Sequence, residues 1–171
     1  LLDLQTIREA KGTLMGLNVV IVGDIAHSRV VRSNIYAMKT MGMHVKLIGP
    51  PTMIPLGIEK MGVSVSYNLE DSIKGMDVIM MLRLQKERQS KYLLSSIREY
   101  SNLYCLTSKF LEKAKEDVLI FHPGPVNRGI EISLDVMESE RSLILTQVTN
   151  GVAVRMALMY LLLGGKNDNS N

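Results

Sequence analysis

The sequence predicts an α/β fold, a doubly wound parallel sheet of about five strands with helices on both faces. Three observations carry that expectation. Short, continuous apolar runs rich in β-branched residues recur along the chain, segments of helical spacing separate them, and turn-forming residues bound most of them. Strands alternating with helices in this way pair in parallel, because each crossover must return the chain across the sheet.

The elements follow in order. Leu1 to Ala10 has apolar residues at helical spacing and opens without a capping residue or an initiating methionine, so the chain reads as cut from something longer. Val19 to Val22 is the first buried strand. Ser28 to Met41 places Val30, Val31, Ile35, Met38 and Met41 at helical spacing and stops at Gly42. Val45 to Ile48 is the second strand, closed by Gly49-Pro50-Pro51. A helix over Pro55 to Met61, a strand over Val63 to Ser66 and a short helix capped by Asn68, with Glu70 and Asp71 in its first turn, come next. The fourth strand is Val78 to Leu82. Helical segments over Lys91 to Tyr100 and Ser108 to Lys115 lead to the fifth, Val118 to Phe121. Asn150 to Leu163 reads as a helix apolar on nearly every side, followed by Gly164-Gly165 and a polar tail, 166–171, expected to be disordered.

Composition narrows the function. At 171 residues, 46% hydrophobic and 22% charged, the chain should build one main domain with a real core. A net charge of +3, with basic residues dispersed and aromatics at 5%, argues against nucleic acid as a partner. The longest apolar stretch, Met156 to Leu163, is too short to span a bilayer, and no signal core follows the N-terminus. A soluble, cytoplasmic protein is expected. Cys105 has no CxxC partner or histidine cluster, so no metal site is expected from it, and it reads as buried filler.

Ligands of open parallel sheets bind beyond the carboxyl ends of the strands. Three loops there are unusual: Gly23 to Arg29 after strand one, Arg83 to Arg88 after strand four, and His122 to Gly129 after strand five. Together they offer Arg29, Arg83, Arg88 and Arg128, which suit a small, multiply anionic ligand because guanidinium forks match carboxylates. An arginine taken singly is about as often structurally paired or solvated; three converging loops shift the balance. Glu87 lies four residues after Arg83 and could hold it in place if the loop is helical. His122-Pro123-Gly124-Pro125 makes a stiff turn that can accommodate a cis peptide at Pro125 and offer backbone acceptors to an amide; it could equally be a bare turn. His122 and His27 could be general bases, although a histidine beside a strand end is more often a packed or capping residue. A dinucleotide site is disfavoured, since Gly23 is followed by Asp24-Ile25-Ala26-His27-Ser28 with no further glycine.

Four strings then stand out: GDIAHSRVVRSN from Gly23, MLRLQKER from Met81, HPGPVNRGIEI from His122 and QVTNGVAVRMAL from Gln147. In order and spacing they resemble the C-terminal half of aspartate carbamoyltransferases, and with the opening LLDLQTI the likeness extends to Gly165. The resemblance implies transfer of a carbamoyl group from carbamoyl phosphate to L-aspartate in pyrimidine synthesis, with no cofactor and no metal. It implies that Arg29 and Arg83 grip the aspartate carboxylates with Gln85 beside them, and that the backbone of Gly124 and Pro125 meets the carbamoyl group. Glu87, Arg88 and His122 are expected in support.

The ornithine enzymes of the family are the nearest alternative. They carry a cysteine-bearing loop after strand five, where this chain has HPGP, and an arginine-lined pocket would repel an ammonium. A non-catalytic binding or scaffold fragment is the other alternative. The family's main carbamoyl phosphate site lies in an N-terminal domain that this sequence does not include, so the chain alone is expected to be inactive. The resemblance also implies a homotrimer for the intact enzyme. The organisation expected is an interdomain helix and linker over 1–16, an aspartate-binding domain over 17–149, and a C-terminal helix over 150–165 that packs on the N-terminal domain. Without that domain, the apolar faces of Leu1 to Ala10 and Val152 to Leu163 should be uncovered.

Overall fold

The chain builds a five-stranded, all-parallel sheet in the order β3-β2-β1-β4-β5. A computed structural model describes residues 1–84 and 96–164. The strands are β1 (Asn18–Val22), β2 (His44–Ile48), β3 (Ser64–Ser66), β4 (Val78–Met81) and β5 (Leu119–Phe121). Helices α1 (Leu2–Lys11), α2 (Arg29–Thr40), α3 (Leu69–Ser72), α4 (Ile97–Tyr104), α5 (Ser108–Leu111), α6 (Leu134–Met137) and α7 (Ile144–Leu163) lie between and beyond them.

Alternation along the strands splits the core in two. Val19, Ile21, Leu47, Met80 and Phe121 face Leu4 and Ile7 of α1 and Val31, Ile35 and Met38 of α2. Val20, Val22, Ile79, Met81 and Ile120 face Leu69 of α3, Tyr100 and Tyr104 of α4, Leu111 of α5 and Val136 of α6. All four residues of β4 are buried, as a strand covered on both faces requires. Each such apolar side chain contributes about 2 kcal/mol on burial, so the two layers dominate the stability.

Several elements differ from the sequence reading. The helix expected over Pro55 to Met61 is a single 3-10 turn, Ile58–Met61, because Gly57 adopts a left-handed conformation (φ 73°) and delays its start. The segment from Ser108 is helical only to Leu111, α6 was not anticipated, and α7 begins six residues before Asn150. The residues of α1 are not uncovered as a face: Leu4 and Ile7 sit in the core of this domain, while Leu1 is exposed. The apolar residues of α7 do stand open, including Leu145, Val152, Met156, Leu161, Leu162 and Leu163, and only Gln147 of its twenty residues is buried.

Both rims of the sheet are short. β3 and β5 have three residues each. The outer edge of β5 is already occupied, since the Ile120 N–H donates to the Arg141 carbonyl at 2.9 Å and the Leu143 N–H donates to the Ile120 carbonyl at 2.9 Å. Cys105 is buried and its thiol is pushed up to about 11, chiefly by that burial. Among the described residues no helix is long and apolar enough to cross a membrane.

Candidate functional site at the carboxyl edge of the sheet

From β1 the chain runs outward on one side to β2 and β3 and on the other to β4 and β5, so the strand order reverses between β1 and β4. A crevice opens at the carboxyl ends of strands where this happens. The loops leaving β1 and β4 flank it, and the turn after β5 lies one strand further.

At the end of β1, Gly23 has φ 128°, and a Cβ there would lie 3.1 Å from both Leu82 Cβ and the Tyr100 hydroxyl. Only glycine lets the β1 and β4 ends approach this closely. Asp24 is fully buried; its Oδ1 accepts the His27 backbone N–H at 3.2 Å and lies 2.8 Å from His27 Nδ1. His27 is thus held by a carboxylate at the turn. Arg29 is the first residue of α2 and is exposed.

At the end of β4 the Leu82 N–H donates to the Val22 carbonyl at 2.8 Å, continuing the ladder one residue past the strand. Arg83 is half-buried, and Leu84 is fully buried. Gln85, Glu87 and Arg88 lie outside the described residues.

After β5, His122 is 1% exposed and turned inward. Its backbone N–H donates to Gln147 Oε1 at 2.9 Å, and its Nδ1 accepts the Gly124 N–H at 2.9 Å. An Nδ1 that accepts leaves the ring proton on Nε2, so the imidazole is neutral. Burial pushes it down to about 4, and the Arg83 guanidinium adds to the shift. The Gly124–Pro125 peptide is cis, and both residues are exposed. Arg128 is exposed further along the loop.

Two acidic residues that the sequence reading passed over tie these loops together. Glu131 is fully buried; its Oε1 accepts the Leu84 N–H at 2.7 Å and Asn127 Nδ2 at 2.6 Å, and its Oε2 accepts the Asn127 N–H at 2.9 Å. Burial raises its carboxyl above the ordinary range against the pull of those donors. Asp3 of α1, also buried, accepts Gln147 Nε2 at 2.7 Å and Asn34 Nδ2 at 2.8 Å, joining α1, α7 and α2. Local sequence held one weak sign of the first, an acid set between Ile130 and Ile132, and none of the second.

A cavity of about 370 Å³ opens beside the turn, lined among others by Val30, His122, Pro123, Gln147 and Arg155. It puts the residue after Arg29 and the β5 turn on one wall system. Arg155, from α7, is a further cation there that the loop-based reading omitted.

Comparison with known proteins gives this geometry a family. Residues 15–162 match the family described as aspartate/ornithine carbamoyltransferase, Asp/Orn binding domain. The chain belongs to that family. It is 59% identical over 167 residues, 98% of its length, to the aspartate carbamoyltransferase catalytic subunit of Syntrophus aciditrophicus (strain SB). It is 55% identical over 168 residues to that of Desulfosudis oleivorans (strain DSM 6200 / JCM 39069 / Hxd3). It spans 54% of the length of each of these relatives. Among solved structures, ornithine carbamoyltransferase from Pyrococcus furiosus superposes with a TM-score of 0.80 at 26% identity, covering 97% of this chain and 56% of that one. The carbamoyltransferase amino-acid-binding fold thus accounts for the sheet, its helices and the crevice.

Proposed function

We propose that this domain is the amino-acid-binding half of an aspartate carbamoyltransferase and holds L-aspartate while its amine attacks the carbonyl carbon of carbamoyl phosphate. In that step the nitrogen–carbon bond forms, the carbon–oxygen bond to phosphate breaks, phosphate departs and the amine gives up a proton. Arg29 and Arg83 hold the two carboxylates, Gln85 assists, and the Gly124–Pro125 backbone faces the carbamoyl group. Glu87 and Arg88 support the same loop. The domain's own contribution is orientation, which converts an encounter of two substrates into a held geometry. Carbamoyl phosphate is held mainly by an N-terminal domain, and the intact enzyme is a homotrimer.

What supports this reading is the tie between the two loops: Leu84, the residue after Arg83, donates its N–H to Glu131 Oε1 at 2.7 Å and its carbonyl accepts Asn127 Nδ2 at 3.3 Å, two residues beyond Pro125. A cation beside a turn with exposed backbone groups suits a carboxylate next to an amide-like centre. Charge selects aspartate over ornithine, because an ammonium side chain would meet guanidinium groups, and the turn carries HPGP with no cysteine.

The test is Arg83→Ala in the intact enzyme, with aspartate varied. Arg83 is half-buried, so its loss is only partly screened, and a cost of about 2–3 kcal/mol, roughly a 30- to 150-fold rise in the aspartate KM, is expected. Unchanged aspartate kinetics would remove Arg83 from the site.

A further inference from the structure

Glu131 does not reach the crevice, yet it holds the backbone on both sides of it. Leu84 directly follows Arg83, and its peptide groups are fastened at both ends: its N–H donates to Glu131 Oε1 at 2.7 Å and its carbonyl accepts Asn127 Nδ2 at 3.3 Å. Asn127 in turn lies two residues beyond Pro125 and donates both its N–H and its side-chain amide to the same carboxylate, at 2.9 and 2.6 Å. One carboxylate therefore sets the separation between the chain carrying Arg83 and the chain carrying the cis turn.

Energetics single this carboxylate out. Glu131 is fully buried, and among the described residues its carboxylate accepts the uncharged N–H groups of Leu84 and Asn127. Burying a carboxylate costs several kcal/mol before its partners compensate, whereas apolar side chains join loops without that penalty. What the charge supplies is short, charge-assisted bonds that fix distance and direction.

We propose that Glu131, through Asn127 and Leu84, is the positioning residue that registers Arg83 against the Gly124–Pro125 turn. The inference rests on reading Arg83 as a ligand of an aspartate carboxylate. A misplacement of about 1 Å at such a site is felt as lost orientation of aspartate, while carbamoyl phosphate, held mainly by the N-terminal domain, is affected far less.

Steady-state kinetics on the intact enzyme, with aspartate and carbamoyl phosphate varied separately, test it in wild type, Glu131→Gln, Asn127→Ala and Arg83→Ala. Glu131→Gln keeps the size but turns an amide toward a donor. The expected result is an aspartate KM raised about 10- to 100-fold with that for carbamoyl phosphate within about twofold of wild type. Asn127→Ala, which keeps the carboxylate, should raise the aspartate KM about three- to tenfold. A residue that only stabilises the fold would lower the active fraction, hence kcat and the melting temperature, and leave the aspartate KM alone. An unchanged aspartate KM in both variants, alongside a raised one in Arg83→Ala, overturns the registering role and spares the site. Should Glu131→Gln fail to fold, Asn127→Ala decides alone. No change in Arg83→Ala removes the aspartate site itself, and this inference with it.

Discussion

His122 shows how much a single side chain can report about this edge. Its imidazole is neutral, buried and pushed down to about 4. In the unfolded chain a histidine titrates near 6.5, so below that value the unfolded state binds a proton that the folded state refuses. Its contribution is therefore fully present above about pH 6.5 and is lost as the pH falls toward 4, an effect of roughly 3 kcal/mol. His122→Asn keeps an acceptor for the Gly124 N–H and cannot titrate. Urea denaturation from pH 4 to 7 should give a wild-type stability that climbs more steeply than the variant's; parallel curves would mean that His122 is protonated without penalty. Glu131, raised by burial, acts in the opposite sense, which is why the difference between the two proteins is the quantity to read.

Among the elements, α1, α2 and α7 are joined by one buried polar group in addition to the apolar packing of α1 and α2. Asp3 receives Gln147 Nε2 and Asn34 Nδ2, and Gln147 also receives the His122 N–H. Removing either partner leaves buried donors or acceptors unmet, at about 1–3 kcal/mol each. Because Asp3 and Gln147 share one bond, Asp3→Ala and Gln147→Ala should cost less together than their sum, with a coupling of about 1 kcal/mol or more in a denaturation cycle. Strict additivity would show the two helices to be independent. The strands were legible in the sequence because their signal is local: Val19-Val20-Ile21-Val22 and Val78-Ile79-Met80-Met81 read as buried whatever surrounds them. The positions of the arginine-bearing loops followed from topology. The polar ties did not, since Asp3 and Gln147 are 144 residues apart and Leu84 and Glu131 are 47 apart. The four-residue helices α3 and α6 divide along the same line: Asn68, which caps α3 by accepting the Asp71 N–H, announced it, whereas Ser133 makes no such bond at α6.

At the scale of the whole molecule, the open face of α7 governs behaviour in solution. Leu145, Tyr160, Leu161, Leu162 and Leu163 are all more than 70% exposed, far beyond scattered surface apolar residues. A polypeptide limited to these 171 residues is expected to self-associate with rising concentration in light scattering, and Leu161→Lys with Leu162→Lys should shift it toward monomer. A monomer at every concentration before substitution would show that the face is tolerated in water. The architecture also dictates what form such self-association takes. A cross-β fibril grows by adding strands to an unpaired rim, and here one rim is three residues long while the other is already bonded to the segment from Arg141 to Leu143. Clumping through this protein should therefore proceed by helix against helix, leaving folded units that dilution can separate and an amyloid dye does not stain.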